Sequence, residues 1–345
     1  MDFKTILEAG NIEGKRILVR VDWNVPIENG VVVDDFRIQK SLATIEYLIK
    51  SGAKVTLISH MDPDDASLKP VYEYAKNVLP TLTFIEQSDL VLLENLRMDK
   101  GEKENSRDFA VKLASGADIY VNEAFSASHR EHASIVGLPK LLPAYAGVQF
   151  TEEVKNLSNA FYPKHPFLFI LGGAKFDTKL PLMDKFLHIA DDTFVGGALA
   201  NNFFKEMGQD VGTSLVSEGE FNLKEKFEGG RIILPIDKTL NGTRIVDAGP
   251  KTIENLKNKI NSAKFILWNG PLGEFEKGFK DSTLELAKLV ADSNAETIVG
   301  GGDTLSAIKE LGLFDKFSFV STGGGAMLDF LATGTLPGVE ALKRV

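Results

Sequence analysis

Arg16-Ile-Leu-Val-Arg-Val-Asp22, then the helical pattern Phe36–Ser51, then Lys54-Val-Thr-Leu-Ile-Ser-His60 read as strand, helix and strand. The helix places Ile38, Leu42, Ile45, Leu48 and Ile49 on one face. The flanking strands are almost continuously apolar, which marks strands buried on both faces of a parallel sheet. The alternation continues through Leu82-Thr-Phe-Ile85, Asp89-Leu-Val-Leu-Leu-Glu-Asn95 and Asp118-Ile-Tyr-Val-Asn122. Later come Pro166-Phe-Leu-Phe-Ile-Leu171, Asp192-Thr-Phe-Val195, Arg231-Ile-Ile-Leu-Pro235, Lys264-Phe-Ile-Leu-Trp268, Glu296-Thr-Ile-Val299 and Lys316-Phe-Ser-Phe-Val320. Lys179–Ile189 supplies another helix pattern. Such a succession predicts an α/β fold, doubly wound.

The chain has 345 residues, enough for two domains. Hydrophobic residues make up 43% and charged residues 25%, an ordinary globular composition. There is no cysteine, which removes disulfides, thiolate metal sites and cysteine nucleophiles. Met1-Asp2-Phe3-Lys4-Thr5 lacks the pattern of a signal peptide, and no apolar run approaches a bilayer span. A cytoplasmic protein with no membrane partner is expected. The net charge of −9, from 39 Lys+Arg against 48 Asp+Glu, argues against nucleic acid as a partner. A small anion responds instead to the local field of a cleft. A domain boundary is expected around Leu142–Glu153, with Glu152-Glu-Val-Lys-Asn-Leu157 beginning a joining helix. This gives domains at 1–152 and 153–345, and the last ~15 residues are either a tail or an element docked on the first domain.

Ligands of open α/β sheets bind beyond the carboxyl ends of the strands. In the first half these positions hold Asp22, Asn24, His60, Asn95, Arg97, Asn122, His129, Arg130 and His132, with Arg37 opening the next helix. Arginines gathered on one edge suit bidentate binding of phosphate or carboxylate, although each taken singly also fits an ordinary surface charge. In the second half the strands end in glycine: Leu171-Gly-Gly-Ala-Lys175, Val195-Gly-Gly-Ala198, Asn269-Gly-Pro-Leu-Gly273, Val299-Gly-Gly-Gly-Asp-Thr304 and Ser321-Thr-Gly-Gly-Gly325. Glycine admits close approach of a ligand to backbone N–H groups, and five such ends together suggest a nucleotide cradle. Neither G-x-G-x-x-G nor G-x-x-x-x-G-K-[ST] occurs, so a dinucleotide fold and a P-loop are both disfavoured.

These strings, in this order, resemble the phosphoglycerate kinase family over nearly the whole chain. The resemblance is carried by Val19-Arg-Val-Asp-Trp-Asn-Val-Pro26, Asp34-Asp-Phe-Arg-Ile38, Leu92-Leu-Glu-Asn-Leu-Arg97, His129-Arg-Glu-His-Ala-Ser134, Gly249-Pro-Lys-Thr252, Trp268-Asn-Gly-Pro271 and the glycine ends quoted above. It implies two Rossmann-like domains joined by a helix, the first for 3-phosphoglycerate and the second for Mg-nucleotide. It also implies closure between them and reversible phosphoryl transfer between ATP and the substrate carboxylate, giving ADP and 1,3-bisphosphoglycerate or, in glycolysis, the reverse. A monomer is expected. By the resemblance, Asp22, Asn24, Arg37, His60, Arg97 and Arg130 bind the acceptor, and Arg37, Lys175 and Lys179 act on the transferring group. Gly173, Gly196, Gly197, Asn269, Pro271, Gly301, Gly302, Thr304, Gly323 and Gly324 are expected at the nucleotide. Glu276 would hold the ribose and Asp303 the Mg²⁺. A catalytically weak nucleotide-binding homologue is the alternative; survival of the charge-neutralising residues favours the enzyme.

The sequence also departs from the family. It is short between His60 and Asp89 and between Gly208 and Ala248. Where the family has Leu-Gly-Arg-Pro after its histidine, Met61-Asp62-Pro63 stands, so one phosphate-binding arginine is missing and Asp62 has the opposite sign. Weak acceptor binding is therefore expected unless another cation, with Lys69 the nearest, takes its place.

Overall fold

The computed structural model describes residues 2–219 and 221–343. The chain forms two compact units. One runs as far as Lys155 and takes back the chain from Thr333; the other is Asn156–Ala332.

Besides a short antiparallel pair, Ile27–Glu28 with Val31–Val32, the first unit holds β1 (Arg16–Arg20), β2 (Lys54–Ile58), β3 (Thr83–Phe84), β4 (Leu90–Leu92), β5 (Ile119–Asn122) and β6 (Ala144–Ala146). These six form one sheet in the order β3-β4-β2-β1-β5-β6, parallel throughout. Val19, Leu57 and Val121 are fully buried at its centre, beneath Ile38, Ile45 and Leu48 of the helix Phe36–Lys50. The strand order reverses between β1 and β5, and a crevice opens beyond the carboxyl ends of such a pair.

The second unit repeats the plan with β7 (Phe167–Leu171), β8 (Asp192–Val195), β9 (Ile232–Ile233), β10 (Phe265–Asn269), β11 (Glu296–Gly300) and β12 (Phe319–Val320). The order is β9-β8-β7-β10-β11-β12, again parallel, and the reversal lies between β7 and β10. Its core is rich in phenylalanine: Phe167, Phe169, Phe186 and Phe265 are buried and meet edge to face or tilted, with ring centroids 5.1–6.0 Å apart. An antiparallel pair, Lys238–Asn241 with Arg244–Ala248, stands beside this sheet as a separate ribbon.

Two elements differ from the sequence reading. Ala144-Tyr-Ala146, not among the strands read from the sequence, is a sixth strand paired to β5. The joining helix begins at Val148, not at Glu152, because its first N–H groups find acceptors far away in sequence. Val148 N–H donates to Thr44 Oγ1 at 2.8 Å, while Gln149 and Phe150 donate to the two carboxylate oxygens of Glu123, each at 3.1 Å. The division between units falls within this helix. The last described helix, Pro337–Leu342, belongs to the first unit; Gly338 N–H donates to Ser128 O at 2.9 Å, and Phe3 bridges Lys343.

Candidate functional site

Beyond the carboxyl end of β1, Asp22 is a buried carboxylate. Burial alone would raise its pKa, but Arg37 above all, with Arg20 and the Ser126 hydroxyl, holds it well below the usual carboxylate range. Arg37, in the first turn of the helix after β1, donates from NH1 to Asp22 Oδ2 at 3.0 Å and to Asn24 O at 3.1 Å. The guanidinium is thereby aimed by two acceptors.

His60 follows β2 and is also buried. Burial depresses its pKa to about 2; Asp22 opposes the shift, and Arg20, Arg97 and Arg130 reinforce it. Its Nδ1 lies 2.9 Å from Arg20 NH2. Arginine has no acceptor, so Nδ1 accepts and the proton of the neutral ring sits on Nε2. Arg20 is itself fully buried and donates from Nε to Ser134 Oγ at 2.9 Å. Ser134 in turn donates to Glu102, a carboxylate with no exposed surface.

Arg97 and Arg130 complete the basic cluster. The Arg97 side chain is buried and pairs with Asp62, while its Nε has no hydrogen-bond partner among the described residues. Arg130 is half-buried, and burial beside Arg97 lowers its pKa from the ordinary arginine value. Asn24 and Asp62 exchange hydrogen bonds: Asn24 Nδ2 donates to Asp62 Oδ2 at 2.9 Å, and Asp62 N–H donates to Asn24 Oδ1 at 3.1 Å. Lys69 stands exposed at the start of the helix Lys69–Ala75. The six first-unit residues named from sequence, Asp22, Asn24, Arg37, His60, Arg97 and Arg130, thus form one linked electrostatic cluster at the sheet edge. Arg20 and Ser126 were not among them. Arg20 had a visible signal, a charge closing the apolar run Ile17-Leu-Val19 at the end of β1.

In the second unit, the loops after β7, β8 and β10 are stitched together by backbone. Gly172 N–H donates to Asn269 O at 2.9 Å, Gly173 N–H to Pro271 O at 2.7 Å and Gly196 N–H to Leu171 O at 2.9 Å. A Cβ on Gly197, whose φ is +60°, would lie 2.7 Å from Gly173 N and 2.8 Å from Pro271 O. Neither can give way, so glycine is required there. Beside this seam lies a cavity of about 230 Å³ lined in part by Gly173, Gly197, Pro271, Glu276 and Asp303, with Phe204, Leu215 and Leu272 as apolar wall.

Lys175 precedes the helix Phe176–Phe186 and is exposed; Lys179, one turn on, is buried and donates from Nζ to Gly172 O at 2.5 Å. Burial lowers the Lys179 pKa to about 8, with Asp303 opposing and Lys175 adding to the shift. Asp303, in the first turn of the helix Gly302–Glu310, is raised by burial and by Glu276, with Lys179 opposing. Thr304 is fully buried, and its hydroxyl accepts the Gly270 N–H at 3.0 Å. Asn269 is buried at the end of β10, while Gly301 and Gly302 open the helix after β11. Gly323 and Gly324 precede the helix Gly325–Thr333. Sequence reasoning passed over the ribbon behind the cavity, where Arg244 pairs with Glu274 and Lys238 lies 3.5 Å from the Phe204 ring centroid.

Among the described residues no group of three or more His, Asp or Glu is arranged to hold a metal. A lone, partly buried carboxylate such as Asp303 fits Mg²⁺ that arrives on nucleotide phosphates, since Mg²⁺ is commonly held by one or two carboxylates plus the phosphates. No helix among the described residues is long and apolar enough to cross a membrane.

Comparison with known proteins gives one answer. A phosphoglycerate kinase of Leptospira biflexa is 40% identical over 98% of both chains, and one of Dictyoglomus turgidum is 39% identical over 99% of both. The structure of phosphoglycerate kinase from Coxiella burnetii superposes with a TM-score of 0.85 at 34% identity, covering 99% of this chain and 98% of that one. The family model for phosphoglycerate kinase matches residues 7–334. With both switch-point edges built as described, the chain belongs to the phosphoglycerate kinase family.

Proposed function

We propose that the protein is a working phosphoglycerate kinase, moving a phosphoryl group between ATP and the carboxylate of 3-phosphoglycerate. The products are ADP and 1,3-bisphosphoglycerate, and the reverse direction is the glycolytic one. The observation that carries this reading is the division of labour between the two switch-point edges. One gathers Arg37, Arg97, Arg130 and neutral His60; the other gathers a glycine seam with Lys175, Lys179 and Asp303.

In the first unit, Arg97, Arg130 and the Nε2–H of His60 suit the acceptor's distal phosphate, while Asn24 and Asp22 orient the acceptor and Arg37. Arg37 faces the reacting carboxylate. In the second, the seam at Gly172–Gly173 and Gly196–Gly197 admits the nucleotide, Glu276 takes the ribose and Asp303 takes the Mg²⁺ that the nucleotide brings. Lys175 and Lys179 neutralise charge on the transferring and terminal phosphates. No general base is needed, because the acceptor is already a carboxylate; positioning and charge neutralisation suffice. Acceptor and donor groups sit on different units, so transfer requires closure. A cytoplasmic monomer is the simplest working form. The test is a coupled assay with ATP, Mg²⁺ and 3-phosphoglycerate. Turnover supports the reading; tight nucleotide binding without turnover would instead favour the non-catalytic homologue.

A further inference from the structure

Besides Asp22, a second carboxylate reaches into the acceptor cluster. Asp62 pairs with Arg97, and its other oxygen accepts from Asn24 Nδ2 at 2.9 Å, so it sits on two of the groups assigned to the acceptor. We propose that Asp62 is an internal anion that occupies Arg97 in the ligand-free protein and must be displaced by the acceptor's phosphate, so that it sets acceptor affinity; this rests on the acceptor assignment above.

The two partners differ in freedom. The Arg97 side chain is only 4% exposed, whereas that of Asp62 is 53% exposed. Arg97 is fixed by its burial and by a turn in which Asn95 Oδ1 accepts the Arg97 N–H at 3.0 Å. Asp62 lies on the water side and can swing out. Nor is the pair needed to hold the loop. Asn95 Nδ2 donates to the carbonyls of Met61, Asp64 and Ala66 at 2.8–3.0 Å, and Asn95 Oδ1 accepts the Met61 N–H at 3.0 Å. Asp64, the next carboxylate, is satisfied by Lys103 and stands 3.8 Å from Arg97. The removable negative charge at the guanidinium is therefore that of Asp62. A phosphate monoester carries a charge of about −1.5 to −2 and cannot share Arg97 with a carboxylate without strong repulsion.

Asp62→Asn keeps the shape and the Asn24 contact but removes the charge; Asp62→Ser is the second variant, and both are checked for native melting. Titration calorimetry with inorganic phosphate and with 3-phosphoglycerate, each without nucleotide, is set beside steady-state KM. The expected result is tighter binding of both anions by about ten-fold or more, with an equal fall in the KM for 3-phosphoglycerate and an unmoved KM for ATP. Unchanged or weaker anion binding in both variants overturns the proposal and makes Asp62 a group that positions Arg97. If neither wild type nor variants turn over, yet both variants gain affinity for phosphate, the internal anion stands and the kinase reading falls.

Discussion

Asp22 and Arg37 form a salt bridge of 3.0 Å in which the carboxylate is the more deeply buried partner, and Ser126 binds the same carboxylate oxygen. The pair fixes the direction of the guanidinium. In Asp22→Asn the aim of Arg37 is lost, and kcat should fall roughly ten-fold or more while the KM for ATP stays within two-fold. Steady-state kinetics with each substrate varied in turn would show it. A selective rise in the KM for ATP would instead tie this pair to the nucleotide.

Lys175 is exposed at the start of its helix, one turn before buried Lys179. A lysine free to reach a transferring group acts chiefly in the transition state. Lys175→Ala is expected to lower kcat roughly a hundred-fold and to leave nucleotide affinity within a few-fold. Nucleotide titration of the variant supplies the second half of the comparison, and lost binding with retained kcat would reverse the assignment.

The protonation of His60 is open to direct observation. A ring whose Nδ1 accepts from Arg20, and whose pKa is depressed to about 2, stays neutral with its proton on Nε2. Nitrogen-15 spectra of labelled protein should show that tautomer unchanged over roughly pH 5–8, whereas an ordinary histidine titrates there. A midpoint near 6.5 would contradict the geometry.

Glu123 gives a pH dependence of stability. Burial pushes its pKa from the ordinary 4.5 up to about 7, against the opposing hydrogen bonds of Thr44, Phe150 and Gln149. Between those two values the folded protein holds a proton that the unfolded chain has released. This group's contribution to stability therefore declines as pH rises through that window and is constant outside it. Urea midpoints of wild type and Glu123→Gln, measured from pH ~4.5 to ~7, should show wild type losing ground to the variant as pH rises. A constant gap would place the titration elsewhere.

Thr304→Val replaces a buried hydroxyl by a methyl and leaves the Gly270 N–H without its acceptor. The loss should cost about 1–3 kcal/mol in denaturant unfolding. It should also raise the KM for ATP, because the Gly270 loop is stitched to Gly172. Thr304→Ser ought to restore both.

The sequence made the strand-rich halves and both site edges readable because each rests on local pattern: apolar runs, helix periodicity and the residue types that follow a strand. It was silent where the determinant is distant. The helix start at Val148 depends on Thr44 and Glu123, and Ala144–Ala146 is a strand because β5 lies beside it. Nothing local marks Ser126, whose hydroxyl binds Asp22 from far along the chain. Arg20 is the instructive case, since its charge was plain in the strand but its meaning lay in His60 and Ser134.

The helix Pro337–Leu342 has a consequence for how the protein is made. Ala341 packs against a small apolar cluster of Ala124, Ala127, Ile135 and Val136, and Gly338 is pressed so closely on Ser128 that a Cβ would lie 2.6 Å from its side chain. Those partners precede their cover by the whole of the second unit, so on the ribosome the cluster stays bare until the chain from Thr333 onward has emerged.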